Sequence, residues 1–233
     1  MKTKQLFLAV IIGIFCSCAT AQTSKGDRQV GEFTKISTSA GIDVVFTQEG
    51  KHAVRIETDP ETLEKIEVYV DKETLVLKRK NNVKFKRNAS ITVYVSAKNL
   101  NALSISGGAD FTSSEIKNSD TFNISASGGS DVDINKLTVS ECKISISGGA
   151  DADIKQLRTK SLKISASGGA DADINIAEAD NVNASASGGA DINLTGKAKQ
   201  VSASASGGGD INVTSLTYEN INSSKSGGVR IKK

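Results

Sequence analysis

A phrase of about ten residues recurs along the second half of the chain and limits the folds that the sequence can adopt. Its forms include ISISGGADADI, ISASGGADADI and ASASGGADINL. The first residue of each Gly pair is Gly107, Gly128, Gly148, Gly168, Gly188, Gly207 or Gly227. The steps between them are 21, 20, 20, 20, 19 and 20 residues. A near-constant period of about 20 residues predicts a solenoid, in which each repeat buries its apolar side against its neighbours.

Alternation inside each repeat predicts strands with one buried side. In Leu162 to Ile174 the period of two directs Leu162, Ile164 and Ala166 inward before the Gly pair, which forms a corner. One inward column then consists of Phe122, Cys142, Leu162, Val182, Val201 and Ile221. We therefore predict an all-β fold, a single-stranded right-handed parallel β-helix with two to three short strands in each coil of about 20 residues.

The repeat begins before its first Gly pair. The segment 36–46, ISTSAGIDVVF, aligns with 144–154, and Ala40-Gly41 replaces the Gly pair. Between 46 and 103 the period is interrupted by longer strands, by a short helix after Asp59-Pro60 and by a hairpin across Lys72-Glu73. We interpret this region as an elaborated N-terminal β cap that covers the open end of the solenoid.

The first 21 residues have the pattern of an export signal. Lys2 and Lys4 precede an apolar stretch, and Ala19-Thr20-Ala21 forms a small-residue cleavage site. We predict a signal peptide at 1–21, a flexible N-terminus at 22–32 and one domain at 33–233, with irregular coils and cap at 33–102 and regular repeats at 103–233. The exported protein would lie in the periplasm, on the outer-membrane surface or outside the cell. Acylation of Cys18 is an open alternative, and only in that case do we expect a membrane as partner.

Charge and residue usage exclude several function classes. Without Lys2 and Lys4 the chain has 27 basic and 26 acidic residues, which argues against nucleic acid as a partner. His52 is the only histidine, so Ser-His-Asp and Cys-His catalysis are excluded. After removal of the leader Cys142 remains, without a partner for a disulfide or a thiolate metal site, and the apolar column predicts that it is a core residue.

Polar columns on the outside of the coils are the candidate binding surface. The aspartates are Asp110, Asp131, Asp133, Asp151, Asp153, Asp171, Asp173, Asp191 and Asp210, and the serines are Ser145, Ser147, Ser165 and Ser167. Stacked carboxylates repel one another by about 1 kcal/mol per pair in water, so a compensating interaction is expected. The first interpretation is architectural, because Asp beside Gly commonly accepts hydrogen bonds from backbone N–H groups of the turn.

A calcium site is the second interpretation of the aspartates. Asp151, Asp153, Asp171 and Asp173 could offer the oxygen ligands that Ca²⁺ takes. The phrase GGADADI departs from the calcium-binding nonapeptide, since it has no second Gly after the pair and its period is 20 residues. We therefore predict no cofactor other than this calcium alternative.

Catalysis on polysaccharides is a further alternative, because paired carboxylates can be the acid and the base of glycoside hydrolysis. A catalytic site is a local break in a repeat, however, and here the carboxylates recur in every coil. The prediction is a protein that is not an enzyme.

The segment Gly41 to Val44 after an Ile-Ser-x-Ser strand, followed by coils with Ser-x-Ser-Gly-Gly-Ala-Asp, resembles the head GIN domain family of "putative autotransporter adhesins" from Bacteroidetes. The resemblance extends from 33 to 231. It implies a parallel β-helix, export to the cell envelope and an adhesive or carbohydrate-contacting role, without catalytic residues. The prediction is an exported, noncatalytic, adhesin-like binding or structural module that contacts a cell-surface glycan or protein through its Ser and Asp columns and could form homo-oligomers.

Overall fold

The computed structural model describes residues 24–227 and 230–232. The signal peptide and Cys18 lie outside these residues. The secondary-structure elements are β1 (Ser24–Arg28), β2 (Lys35–Ser39), β3 (Asp43–Gln48), β4 (Ala53–Thr58), α1 (Pro60–Leu63), β5 (Ile66–Asp71), β6 (Thr74–Arg79), β7 (Thr92–Ala97), β8 (Ala102–Ser106), β9 (Phe111–Ser113), β10 (Ile116–Ser127), β11 (Asp131–Ile134), β12 (Leu137–Gly148), β13 (Asp151–Gly168), β14 (Asp171–Gly188), β15 (Asp191–Gly207), β16 (Asp210–Gly227) and β17 (Arg230–Lys232).

Strands β12 to β17 stack in parallel, each on the one before, and β10 and β11 pair in parallel with β12 and β13. Asp151 pairs with Asp171, which pairs with Asp191, and Gly148 lies beside Gly168. The parallel β-solenoid with a step of about 20 residues is thereby confirmed. The strands are longer than predicted, since β13 and β14 each span 18 residues. Their pairing shifts register between Ile154 and Leu157, so the chain bends there at a bulge without leaving the sheet.

The core is a narrow stack of apolar columns along the solenoid axis. Phe122, Cys142 and Leu162 lie in register and are each at most 1% exposed. Beside them small residues such as Ala166 and Ala186 fill the space between the two sides of a coil. Ile221 continues the first column in the last coil and is only partly buried.

The Gly pairs form corners, as predicted. Gly188 has φ +72°, and a Cβ atom there would lie 2.9 Å from the backbone nitrogen of Gly168 in the preceding coil. In the first coil Ala40 adopts φ 64° at the same corner. At Gly188 adjacent coils therefore approach too closely for a side chain, and the positive φ at the first residue of each pair favours Gly.

The N-terminal cap differs from a simple succession of coils. The first coil in sequence, β2 with β3, lies second in space, because β2 pairs with β6 and β8 while β3 pairs with β7 and β9. The strands β4 and β5 add antiparallel edges to β7 and β6. The predicted hairpin is present, with positive φ at Lys72 and Glu73, and the predicted helix begins where the Asp59 side chain accepts a 3.1 Å hydrogen bond from the N–H of Thr62.

The expectation of a flexible N-terminus at 22–32 is wrong for Ser24–Arg28. This segment is β1, and it pairs antiparallel with β4 along its whole length. Its polar sequence has no alternating pattern, and pairing with the backbone of β4 is sufficient to order it. Gly26 is buried, and a Cβ atom there would lie 2.9 Å from the side chain of Leu63.

Among the described residues, no helix has the length and apolar character needed to cross a membrane.

Candidate functional site

The face after each Gly corner carries a row of aspartates, one per coil. We name the outward side of residues 151–154 and their counterparts the aspartate face. Its first row consists of Asp131, Asp151, Asp171, Asp191 and Asp210, which are neighbours in register and are followed by Arg230. The predicted column is therefore a continuous row of side chains on adjacent strands, about one strand spacing of 4.8 Å apart.

Hydrogen bonds hold the carboxylate of Asp210 at one end of this row, and those of Asp43 and Asp110 in the coils that precede Asp131. Oδ1 of Asp43 accepts from the N–H of Asp110 at 3.0 Å, and Oδ1 of Asp110 accepts from the N–H of Asp131 at 3.3 Å. At the other end Oδ1 of Asp210 accepts from the N–H of Arg230 at 2.9 Å. For these residues the donor is a backbone N–H group that follows the corner of the neighbouring coil.

In the middle of the row the same backbone N–H groups have different acceptors. The N–H of Asp151 donates to the carbonyl of Ser130 at 3.0 Å, and that of Asp191 donates to the carbonyl of Ala170 at 3.1 Å. Regular sheet pairing occupies the N–H groups there. The carboxylates of the central coils consequently face solvent.

Burial and neighbouring charges shift the pKa of two aspartates on the N-terminal side of the aspartate face, Asp131 and Asp43. Partial burial raises the pKa of Asp131 above its ordinary value, and the neighbouring Asp110, Asp151 and Asp133 raise it further. Burial also raises the pKa of Asp43, and the hydrogen bond from Asp110 opposes that effect. The charged form of these two carboxyl groups is therefore disfavoured.

A second row runs beside the first and changes its chemistry along the solenoid. Asp133, Asp153 and Asp173 occupy three coils, and Asn193 and Asn212 follow them in register. The Asn193 amide donates to Oδ1 of Asp173 at 2.9 Å, and the Asn212 amide donates to Oδ1 of Asn193 at 3.1 Å. The two asparagines were not among the predicted site residues, although the change from DAD to DIN in the repeat marks them.

The two rows border a shallow trough. One depression of about 300 Å³ lies between Asp131 and Asp173, and another of about 310 Å³ continues from Asp171 to Asn212. The floor consists of small inward residues such as Ala152 and Ala172. We name this surface the acidic trough. A ligand that lies along the trough can contact the paired carboxylate or amide groups of several successive coils.

The serines lie on a different face. Ser145 pairs with Ser165 and Ser147 with Ser167 on the strands that precede the Gly corner, which we name the serine face. At the last coils Oγ of Ser224 donates to Oγ of Ser204 at 3.1 Å. The structure therefore brings the predicted aspartates together and places the predicted serines across the corner from them.

The second row extends into the cap with residues that sequence reasoning missed. Asp133 is followed in register by Thr112, Val45, Tyr94, Arg55 and Asp27. Their outward positions follow from the alternation in the segments 53–58 and 90–95, but their adjacency depends on pairings between strands far apart in sequence. The repeated pattern therefore ends in a cluster in which no two residues are alike.

The part of the chain that the structure describes has no set of side chains that converge on one point as metal ligands do. No group of three or more His, Cys, Asp or Glu side chains is arranged to hold an ion there. The aspartates of the trough point outward from successive coils. Their arrangement suits an extended ligand better than a single ion.

The sequence matches the family described as "Putative auto-transporter adhesin, head GIN domain" over residues 32–154 and 142–232. No curated protein is significantly similar to the chain.

Solved structures share the fold. A "putative adhesin" from Bacteroides fragilis is 23% identical, with a TM-score of 0.79 over 91% of this chain and 97% of that one. A "putative adhesin" from Parabacteroides merdae is 19% identical, with a TM-score of 0.74 over 91% and 95% of the two chains. A "putative lipid binding protein" from Parabacteroides distasonis is 17% identical, with a TM-score of 0.66 over 91% and 97%.

Proposed function

Since the chain belongs to the head GIN domain family of "putative auto-transporter adhesin" proteins, we propose that it is an exported, noncatalytic, adhesin-like binding module of the cell envelope. Its ligand is a repetitive polymer such as a glycan, and the acidic trough is the contact surface. The observation that carries the proposal is the equivalence of successive coils. Asp151 and Asp153 lie in register with Asp171 and Asp173 on one side and with Asp131 and Asp133 on the other, so the trough presents the same pair of carboxylates in three successive coils.

Repetition of this kind suits a polymer whose units are equivalent. Each hydroxyl of a sugar can donate a hydrogen bond to a carboxylate, and a carboxylate accepts several such bonds. Asn193 and Asn212 add amide donors at one end of the trough. Many weak contacts of this type add up when one chain engages several coils at once.

The noncatalytic part of the proposal rests on the same symmetry. Glycoside hydrolysis requires one carboxylic acid and one carboxylate in different environments. Incubation with acidic and neutral polysaccharides should release no shorter products. A product that disappears with Asp151→Asn or Asp171→Asn would favour the enzymatic alternative.

A calcium-stabilised surface scaffold is a second candidate. Burial raises the pKa of Asp131 and neighbouring carboxylates raise it further, and this second contribution favours the candidate. A divalent cation would relieve such repulsion. Thermal melts with excess calcium and then with a chelator decide the matter. Equal midpoints would contradict the calcium candidate and leave the glycan proposal unaffected.

The binding proposal is tested on a glycan array with matched variants. The double variant Asp151→Ala and Asp171→Ala removes two carboxylates from the trough, and Ser145→Ala with Ser165→Ala makes the corresponding change on the serine face. We expect the first variant to lose binding and the second to retain it. Absence of binding to every glycan by the unaltered protein would overturn the glycan ligand, and equal losses in both variants would overturn the trough.

Attachment of the exported protein to the cell envelope is tested by a separate measurement. The mass of the N-terminus of the exported protein distinguishes cleavage after Ala21 from acylation of Cys18. An added acyl mass would make the membrane a partner of the chain.

A further inference from the structure

The N-terminal end of the aspartate face has a groove that the repeat does not explain. It has a volume of about 750 Å³, within the usual range of small-molecule sites. Strands β3, β4 and β7 form its floor, and residues 27–30, at and just after the end of β1, contribute to its wall. We name it the cap groove. It lies beyond the acidic trough on the same face, where Val45, Tyr94 and Arg55 continue the second row.

Tyr94 gives the cap groove an exposed aromatic ring. Among the described residues, only Tyr69 and Tyr94 are large apolar side chains that stay exposed, and Tyr94 is 36% exposed. The guanidinium of Arg55 lies 4.6 Å from the centre of the Tyr94 ring, and it also contacts Oε1 of Glu57 at 3.5 Å. These contacts hold both side chains in place on the sheet.

The polar groups of the groove are balanced between donors and acceptors. Asp27 and Glu49 supply carboxylate acceptors, and Arg28 and Arg55 supply guanidinium donors. Two negative and two positive charges leave the groove without a net charge of its own. An anionic ligand would meet the two carboxylates, and a cationic ligand would meet the two guanidinium groups.

The base of the groove is fixed by the chain's single histidine. The His52 ring packs edge-on against Phe33 at 4.9 Å between centroids, and its Nε2 lies 3.0 Å from the Phe33 carbonyl oxygen. His52 is half-buried in this contact. A preformed wall of this kind lowers the ordering cost of binding a small ligand.

We infer that the cap groove binds one pyranose unit of an uncharged glycan. The apolar C–H face of the sugar would lie against Tyr94, and its neighbouring hydroxyls would donate to Asp27 and Glu49 and accept from Arg28 and Arg55. A wholly apolar ligand would bury four charged groups without partners, which is strongly unfavourable. Neighbouring hydroxyls both donate and accept, so they match a groove with both kinds of group. This inference rests on the proposed glycan-binding role, but its site is separate from the acidic trough.

The inference is tested by titrating the full exported chain with simple methyl pyranosides and measuring binding by NMR or calorimetry. We expect saturable binding in the millimolar range (~1–10 mM, typical of one sugar unit) and about tenfold weaker binding in Tyr94→Ala. Tyr69→Ala is the matched control, because Tyr69 is 41% exposed and has the Lys78 ammonium 5.3 Å from its ring, yet it lies outside the groove. Asp27→Asn is a second variant that removes an acceptor from the edge strand, should Tyr94→Ala unfold.

The outcomes separate this inference from the proposed function. Loss of binding in Tyr94→Ala and Asp27→Asn, with retention in Tyr69→Ala, supports the cap groove. Glycan binding that depends on Asp151 and Asp171 but not on Tyr94 or Asp27 would overturn the groove and preserve the trough. No saturable signal from any uncharged pyranoside up to about 50 mM would overturn the inference by itself.

Discussion

Lys225 lies beside Ala205 in an inward column that otherwise consists of small or apolar residues. The earlier members of this column are Ala126, Ile146, Ala166 and Ala186. Among the described residues, β17 covers only Asp210–Asn212 of β16, so no described strand lies beyond the stretch of β16 around Lys225. A charge at an inward position of an edge strand is a known way to prevent strands of other molecules from adding.

Replacement of Lys225 by Ile should therefore promote association through this end. An Ile side chain continues the apolar column, and its burial against a second molecule contributes about 2 kcal/mol, a more than tenfold change in association constant. Sedimentation velocity over a concentration series measures the effect. Lys163→Ile is the control, because Lys163 is exposed on the serine face of a central coil. An unchanged sedimentation profile in Lys225→Ile would contradict this role of Lys225.

Two glycines of the corners should respond differently to alanine. Gly188 has a positive φ, and its added Cβ would lie 2.9 Å from the backbone of Gly168, so Gly188→Ala should lower the free energy of unfolding by about 2 kcal/mol or more. Gly149 lies outside the left-handed region and has no atom within 4 Å of an added Cβ. Gly149→Ala should change stability by less than about 0.5 kcal/mol. Urea denaturation of both variants tests the pair, and equal losses would show that the close approach at Gly188 is not limiting.

The regular coils could be predicted from the sequence because each coil repeats the register of the one before it. Once the Gly pairs are aligned, Asp151 must lie beside Asp171, and Cys142 beside Leu162. The same logic identified the corner at Ala40-Gly41 without a Gly pair. Local signals were also sufficient for the hairpin at Lys72-Glu73 and for the cap of α1 at Asp59.

The arrangement of the cap could not be predicted because no repeat relates its strands. The insertion of β2 and β3 between later strands depends on long-range pairing, and so does the addition of β1 to β4. The neighbours Arg55 and Tyr94 lie 39 residues apart in sequence and meet only through the antiparallel pairing of β4 with β7. For the same reason the cap groove was missed, while the aspartates of the trough were found.

Removal of one charge from the aspartate row should stabilise the protein. Burial raises the pKa of Asp131, and the neighbouring Asp110, Asp151 and Asp133 raise it further. Asp131→Asn should therefore raise the free energy of unfolding at pH 7 and low salt by up to about 1 kcal/mol. Asp71→Asn, an exposed aspartate at the end of the β5 strand, is the control and should change little.

The pH dependence of this effect has a definite sign. Because the folded-state pKa of Asp131 lies above its unfolded value, the folded state binds more protons in the window between the two values, and stability falls as pH rises through that window. The advantage of Asp131→Asn should thus be full at pH 7 and shrink as the pH falls through the folded pKa towards 3.8. High salt should also reduce it by screening. A variant less stable than the unaltered protein at pH 7 would contradict repulsion within the row.

Cys142 should behave as a core residue and not as a reactive thiol. It is 1% exposed between Phe122 and Leu162, and burial raises its pKa to about 12 from 9.0. Because the thiolate is the reactive form, alkylation at pH 8 should be about 10³-fold slower in the folded protein than after unfolding, measured at the Cys142 peptide by mass spectrometry. The raised pKa of Cys142 also stabilises the folded state below pH 9.0. This contribution to the free energy of unfolding falls as the pH rises towards 12, because the unfolded state releases the proton more readily.

Cys142→Val should lower the free energy of unfolding by less than about 1.5 kcal/mol, since Val182 occupies the same column. Cys142→Asp would bury a carboxyl group without a partner and should prevent stable folding. Rapid labelling of the folded protein would show that this part of the solenoid opens to solvent, which the closed column excludes.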